Sequence, residues 1–430
     1  MKKFLFTIIT VVILAMNTIT LAENLPTDSE NQKISTEELP NTFTQDETLQ
    51  KPLEETEKEI PLQDVKLPKN EKGEPIITAE SAIVIEASTG RVIYEKNAKA
   101  KQEPASMTKM LTGIIALETL TPSEEVKVSL DAALTEDVYL NWGEGDSLSA
   151  SDMIKAMMIV SENGAAVALA EKISGSVPRF ANIMNAKAED IGCTNSHFVT
   201  PNGLHNPNHY STAEDMARIA AYCMRNEDFR KIVAIDKMPL HWITPKDKTD
   251  ELENTNKLLN EYRGLTGIKT GWTSAAGACL AASAKRDGIE LITIIMHSET
   301  NDGRFIEAAN LLDYGFEQVK MIEAVNRENS VRKIFVKGGK NATLHVGLDE
   351  DLKFPLVGDE KKELLNVTYK LPKIVDAEGN INKGDEIGEL VLSYNGKEMK
   401  TMPLVAYEKI DEGFSFGSLL VTIISPFIDK

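Results

Sequence analysis

The chain has 430 residues, 42% of them hydrophobic, and a formal net charge of −19 at pH 7. Its acidity argues against nucleic acid as a partner, because phosphate recognition needs a basic surface. The length leaves room for one large domain and one small one. The cysteines Cys193, Cys223 and Cys279 are odd in number and widely spaced, which predicts buried thiols and no disulfide framework.

The first residues have the pattern of a targeting segment. The basic pair Lys2-Lys3 precedes an apolar run over 4–16, and small residues follow up to Ala22. This pattern predicts a signal peptide over 1–22 that is cleaved after Ala22, with an uncleaved anchor as the alternative. Both interpretations predict an exported protein, associated with the cell membrane or wall.

The next segment, residues 23–75, is polar and acidic, with 14 Asp and Glu residues against 6 Lys and Arg residues. Such a segment cannot bury enough apolar surface to fold, so we expect a disordered linker. A catalytic domain is expected over 76–318, a β-rich domain over 319–411 and a hydrophobic tail over 412–430.

Strands are predicted at both ends of the catalytic domain. Residues 81–87 and 91–94 predict two strands joined by a turn, and 278–284 and 290–297 predict a second pair. Strands before and after a set of helices predict an α+β domain, with helices packed on an antiparallel sheet.

A serine and a lysine, Ser106 and Lys109, lie three residues apart at the start of an apolar run. In a helix this spacing places both side chains on one face, near unpaired N–H groups that favour an oxyanion. Burial would lower the pKa of Lys109, and a neutral amine could then activate Ser106 as a nucleophile. The spacing alone is a weak signal, since Ser330 and Lys333 repeat it.

Two further polar motifs follow. Ser161 and Asn163 interrupt a strongly apolar stretch, where they either cap a helix or line a cavity. Lys269, Thr270 and Gly271 stand where a later pair of strands begins, and a cation with a hydroxyl suits a carboxylate. The alternative for Lys269 is a solvated lysine at a sheet edge.

These three motifs, Ser-x-x-Lys, Ser-x-Asn and Lys-Thr-Gly, occur in the order found in penicillin-binding proteins and class A β-lactamases. Two further motifs narrow the set of families that the chain resembles: Asn-Gly-Leu at 202–204 and His-Tyr-Ser-Thr-Ala at 209–213. The chain resembles the low-molecular-mass D-alanyl-D-alanine carboxypeptidases, serine peptidases related to penicillin-binding protein 5. The resemblance implies a β-lactamase/transpeptidase-like α+β domain followed by a small β-sandwich.

The resemblance also implies the residues that carry out the reaction. Ser106 would be the nucleophile and Lys109 its general base. Ser161 would relay a proton to the leaving amine, and Asn163 would hold the amide of the substrate.

The remaining residues would bind the substrate and stabilise charge. Lys269 would keep positive charge in the pocket, and Thr270 with Arg304 would bind the terminal carboxylate. Gly271 and Trp272 would also belong to the substrate-binding residues. The backbone N–H groups of Ser106 and Trp272 would form the oxyanion hole.

The implied reaction removes the last D-alanine from a peptidoglycan pentapeptide, and β-lactams would acylate Ser106 covalently. No cofactor or metal is expected: His205 and His209 are spaced like ligands, but Pro207 between them argues against a shared helix. Three alternatives remain. One is a β-lactamase, although no Glu-x-x-Leu-Asn motif follows Asn163; the others are a crosslink endopeptidase and a wall-binding protein without turnover.

The tail over 414–430 is almost continuously apolar but short for a membrane span. The resemblance implies an amphipathic helix on the outer face of the cytoplasmic membrane. Pro426 departs from a clean amphipathic stripe, and a segment docked on the protein's own surface is the alternative.

Overall fold

A computed structural model describes residues 60–137 and 139–428 of the chain, with side chains up to residue 425. The predicted signal peptide and the linker up to residue 59 lie outside the described residues.

In the described part of the catalytic domain, the strands form a five-stranded and a four-stranded sheet. They are β1 (Ser81–Glu86), β2 (Val92–Lys96), β3 (Glu125–Lys127), β4 (Ser147–Ser149), β5 (Lys237–Thr244), β6 (Thr249–Glu253), β7 (Leu265–Thr273), β8 (Gly277–Arg286) and β9 (Ile289–Ser298). The larger sheet has the order β2-β1-β9-β8-β7 and is antiparallel, so β7 is an edge strand. The smaller sheet has the order β3-β4-β5-β6.

Helices lie on both faces of the larger sheet. They are α1 (Lys109–Thr119), α2 (Leu130–Ala133), α3 (Ala150–Ile159), α4 (Asn163–Ser174), α5 (Val177–Ile191), α6 (Ala213–Cys223), α7 (Glu227–Val233) and α8 (Gly303–Gln318). Side-chain caps begin several of them; for example, Ser149 accepts a hydrogen bond from Asp152 N at α3, and Thr212 accepts one from Asp215 N at α6.

All six residues of β1 are buried, because both faces of the sheet are covered. Ile83 and Ile85 pack into the cluster formed with α1, α3, α4 and α6, whereas Ala82 and Val84 pack into the cluster that contains α8. Burying one such large aliphatic side chain stabilises the fold by about 1.5–3 kcal/mol. Helices α1, α3, α4 and α6 therefore pack against the central strands from one side, and α8 packs against them from the other.

The C-terminal domain is built from strands: β10 (Val319–Val325), β11 (Arg332–Lys337), β12 (Thr343–Gly347), β13 (Leu352–Val357), β14 (Leu365–Lys370), β15 (Ile374–Asp376), β16 (Glu386–Tyr394) and β17 (Lys397–Ala406). They form a six-stranded sheet, β14-β16-β17-β12-β11-β15, and the pair β10-β13. One apolar cluster includes Phe354 and Leu390, and a second includes Val336 and Leu344. The predicted α+β class with a C-terminal β-rich domain is confirmed.

The tail forms helix α9 (Phe416–Ile428), which contacts β11. Ser418 and Val421 are buried, while Phe416 and Ile423 are 74% and 58% exposed. The helix thus docks on the domain through one side and leaves apolar side chains on the other. Across residues 60–137 and 139–428, no helix has the length and apolarity needed to cross a bilayer.

The N-terminal limit of the folded part differs from the prediction. Residues 61–80, here called the N-terminal strap, lie along α8: Leu67 N donates to Asn310 Oδ1 at 3.0 Å, and Asn310 Nδ2 donates to Val65 O at 2.8 Å. Thr78 N donates to the buried carboxylate of Glu307 at 2.6 Å. The prediction of disorder is therefore wrong for residues 61–75. Amino-acid composition gives no indication of hydrogen bonds that other residues make to the main chain of the strap.

Candidate active site

Ser106 lies in a 3-10 turn at Ala105–Thr108, directly before α1. Two glycines allow neighbouring segments to approach this turn. A Cβ atom on Gly203 would lie 1.9 Å from the Ala105 carbonyl oxygen, and one on Gly271 would lie 3.2 Å from Ala105 Cβ. Gly203 also has a φ of +82°, which other residues rarely adopt. The Asn-Gly-Leu and Lys-Thr-Gly motifs therefore both position the serine turn.

The amine of Lys109 connects the first two motifs. Its Nζ lies 2.7 Å from Ser106 Oγ, 3.2 Å from Ser161 Oγ and 2.6 Å from Asn163 Oδ1. The side chain is completely buried, and burial lowers the pKa of Lys109 to about 7. A large fraction of the amine is therefore neutral near neutral pH and available as a base.

The break between α3 and α4 carries a carboxylate that the sequence motif leaves undefined. Glu162 is fully buried and accepts hydrogen bonds from Tyr139 N and Leu140 N at 2.7 Å each, and from Gly164 N at 3.1 Å. Burial raises the pKa of Glu162, and its charge raises the pKa of Lys109. The preceding Ser161 has a φ of +63°, a strained conformation for a serine. One sequence feature could have identified Glu162: it is a carboxylate at the start of a helix, within an apolar stretch.

The side-chain amide of Asn163 is fully engaged. Its oxygen accepts from Lys109, and its Nδ2 donates to the carbonyl oxygens of Glu136 at 3.0 Å and Asp137 at 3.2 Å. In this structure Asn163 orients the amine and fixes the loop that precedes Tyr139. Its expected contact with the substrate amide stays a prediction.

Lys269 lies on edge strand β7 but is only 1% exposed, so the alternative of a solvated edge lysine is wrong. Its Nζ donates to Thr270 O at 3.1 Å. Burial, followed by the charges of Lys109 and Arg304, holds the pKa of Lys269 well below its usual value. An incoming carboxylate would favour the protonated form of Lys269.

Arg304, near the start of α8, reaches the same strand. Its Nη1 donates to Gly271 O at 2.8 Å and Cys279 O at 3.4 Å, and its buried Nε has no partner within the described residues. Thr270 Oγ1 lies 2.6 Å from Thr255 Oγ1. This places a guanidinium and two hydroxyls on the β7 side of the site.

A cavity of about 490 Å³ opens over these groups. Its lining comprises Ser106, Asp137, Tyr139, Val160, Ser161, Asn163, Gly203, Leu204, Thr255, Thr270, Gly271, Trp272, Thr273 and Arg304. Trp272 is 56% exposed at this cavity. Asp137, Tyr139 and Thr255 were missed by sequence reasoning, because no motif marks these loop residues.

The two histidines with ligand-like spacing have other partners. His209 is buried, with Nε2 2.9 Å from Thr108 Oγ1 and Nδ1 accepting from Val199 N at 3.1 Å; burial lowers its pKa to about 4. His205 Nδ1 lies 2.8 Å from Glu103 Oε1. The described ranges hold no group of three or more His, Cys, Asp or Glu residues arranged for a metal.

Fold and site together define a serine hydrolase in which a buried lysine activates the serine, the class of penicillin-binding serine peptidases. The site combines the Ser106 hydroxyl, the Lys109 amine with its lowered pKa and the guanidinium of Arg304. These groups fit acyl transfer from a substrate with a free carboxylate.

Comparison with known proteins gives the family. The chain belongs to the D-alanyl-D-alanine carboxypeptidase family, whose sequence pattern matches residues 68–300; the pattern of the penicillin-binding protein 5 C-terminal domain matches residues 316–412.

Curated relatives and solved structures agree with this family. D-alanyl-D-alanine carboxypeptidase DacF of Bacillus subtilis is 35% identical over 336 residues, covering 77% of this chain and 85% of that protein. The structure of penicillin binding protein 5 from Haemophilus influenzae matches with a TM-score of 0.58 at 29% identity, over 79% of this chain and 99% of that one. The structure of PBP3 from Streptococcus pneumoniae, at 24% identity and a TM-score of 0.64 over 78% of this chain and 99% of that one, shares the fold.

Proposed function

We propose that Ser106 removes the terminal D-alanine from a peptidoglycan pentapeptide through an acyl-enzyme. The observation that carries this proposal is the 2.7 Å separation between Ser106 Oγ and the fully buried amine of Lys109. The lone pair of the neutral amine accepts the hydroxyl proton while Oγ attacks the carbonyl carbon of the penultimate D-alanine.

The proton then leaves with the last D-alanine. Ser161 Oγ, 3.2 Å from Lys109 Nζ, relays it to the nitrogen of the breaking amide bond. Water next attacks the ester, with Lys109 again taking a proton, and Ser106 is restored. The backbone N–H groups of Ser106 and Trp272 stabilise the oxyanion in both steps.

The substrate carboxylate lies on the β7 side of the cavity. Thr270 and Arg304 line that side, and Lys269 is buried behind it. All three groups stabilise a carboxylate that binds there, and this contact orients the scissile bond over Ser106. β-Lactams, whose carboxylate occupies the same place, acylate Ser106.

The test is release of free D-alanine from diacetyl-Lys-D-Ala-D-Ala. We expect release by the wild type and none by Ser106→Ala, which also fails to bind a fluorescent penicillin. Ser330→Ala is the control, since Ser330 has the same spacing to a lysine but lies in the C-terminal domain. Ser330 is buried and accepts a hydrogen bond from Leu348 N, so the rate of this variant is expressed per site that the fluorescent penicillin labels. D-alanine release by Ser106→Ala would remove the proposal.

We also propose that the protein is exported and that α9 attaches it to the outer face of the cytoplasmic membrane. Support comes from the basic and apolar start of the sequence and from the apolar side of α9, where Phe416, Leu420 and Ile423 are exposed. Because acids flank the tail, attachment is expected to depend on apolar contact more than on lipid charge.

Sedimentation with phosphatidylcholine vesicles tests attachment directly. The full chain is expected to sediment, and Ile423→Asp and a chain lacking residues 413–430 are expected to stay in solution. A full-length protein that remains soluble with vesicles and in fractionated cells would disprove the anchor.

A further inference from the structure

The cavity above Ser106 carries opposite charges on its two sides. Arg304 lines it beside β7, together with the hydroxyl of Thr270. Asp137 lines it beside α4 and is the one carboxylate among the cavity-lining residues in the described part of the chain. A ligand with an anionic and a cationic end would match both sides.

Asp137 is held in place by its main chain, while its carboxylate is unused. The carbonyl oxygen of Asp137 accepts from Asn163 Nδ2 at 3.2 Å, and the N–H of Tyr139 is bound by Glu162 at 2.7 Å. The residue is exposed, with a φ of +53°. Over residues 60–137 and 139–428, its carboxylate has no hydrogen-bond or ion-pair partner.

The direction of the substrate brings its acyl side toward Asp137. With the terminal carboxylate near Arg304 and the reacting carbonyl at Ser106, the rest of the donor peptide would pass between β7 and the loop that precedes α4, both of which line the cavity. Asp137 lies in that loop, close enough for its charge to raise the pKa of Lys109.

We propose that Asp137 binds the cationic side chain of the residue that precedes D-Ala-D-Ala, so that the enzyme prefers donors with a free side-chain amine. Tyr139, 60% exposed, lines the same side of the cavity and adds an aromatic ring to which a cation can bind. This inference rests on the proposed carboxypeptidase function and assigns Asp137 to substrate specificity. An exposed ion pair of this kind is worth about a twofold to fivefold preference in kcat/KM.

The experiment compares two peptides that differ in one charge: Nα-acetyl-Lys-D-Ala-D-Ala and Nα,Nε-diacetyl-Lys-D-Ala-D-Ala. The wild type is expected to have a kcat/KM about twofold to fivefold higher for the free amine, and the ratio is expected to fall as salt screens the pair. Rates are expressed per site acylated by a fluorescent penicillin, so poorly folded enzyme does not contribute.

Two variants test whether Asp137 causes the preference for the free amine. In Asp137→Asn the ratio is expected to fall to about 1; asparagine tolerates the positive φ at this position. Glu144→Gln removes the same charge from an exposed residue outside the cavity lining and is expected to keep the wild-type ratio. A wild-type ratio of 1 or less, or an unchanged ratio in Asp137→Asn, overturns the proposal. Absence of D-alanine release from both peptides would instead contradict the carboxypeptidase function.

Discussion

The amide oxygen of Asn163 accepts a hydrogen bond from Lys109 Nζ at 2.6 Å, and the amide nitrogen holds the carbonyl groups of Glu136 and Asp137. One side chain thus orients the base and fixes the loop beside the cavity. Because the amide is neutral, it does so without placing a formal negative charge beside Lys109.

Asn163→Asp keeps the size of the side chain, adds a negative charge next to the base and removes the two hydrogen bonds that Nδ2 donates to Glu136 O and Asp137 O. The charge is expected to raise the pKa of Lys109, so that more of the amine is protonated near neutral pH and acylation slows. The pH of half-maximal acylation by a β-lactam is expected near 7 in the wild type and about one unit or more higher in Asn163→Asp. A profile that stays at the wild-type position would contradict Lys109 as the base.

Glu162→Gln is expected to shift the same profile in the opposite direction. It removes the charge that raises the pKa of Lys109, so acylation becomes half-maximal at lower pH. The glutamine amide also accepts the hydrogen bonds from Tyr139 N and Leu140 N less well than the carboxylate does. We therefore expect a loss of about 1–3 kcal/mol in the free energy of unfolding. Glu144→Gln, a substitution at an exposed site, controls for charge loss; an unshifted Glu162→Gln profile would show that Glu162 acts on structure alone.

Gly203→Ala is expected to slow acylation at least tenfold, because its methyl group would displace the Ala105 carbonyl and with it the serine turn. Gly192→Ala is the matched control: Gly192 also has a positive φ, +92°, but nothing lies within 4 Å of the added Cβ. Both variants should lose about 1–2 kcal/mol through backbone strain at a positive φ. Gly203→Ala should lose more, because its methyl group also clashes with Ala105 O. Equal acylation rates in the two variants would mean that the close approach at Gly203 does not position Ser106.

His209 is expected to make stability depend on pH in the acid range. Its pKa is about 4 in the folded protein against 6.5 in the unfolded chain, so folding favours the neutral ring. Its contribution is complete above pH 6.5 and is lost as pH falls toward 4, by about 3 kcal/mol in total. Urea unfolding of His209→Gln should show a weaker pH dependence between 4 and 6.5, whereas the exposed His241→Gln should follow the wild type.

Sequence reasoning worked best where a local period determines geometry. The spacing of Ser106 and Lys109 placed both on one side of a helical turn, and the polar break at Ser161 marked the start of a helix. Those relations hold within a few residues of chain.

Prediction from the sequence failed for site residues on loops that come together only in the folded protein. Asp137 and Thr255 belong to no periodic element, and only the packing of α4 and β7 brings them to one cavity. The burial of Lys269 also depends on packing, because an edge strand is normally solvated.

The N-terminal strap affects how the enzyme can be shortened. A chain cut at residue 75 would leave the buried amide of Asn310 without Val65 and Leu67 as partners and would uncover apolar surface on α8. Such a fragment would be prone to aggregate, whereas one that starts at residue 60 keeps this contact. Affinity tags and protease sites for recombinant production therefore belong ahead of residue 60.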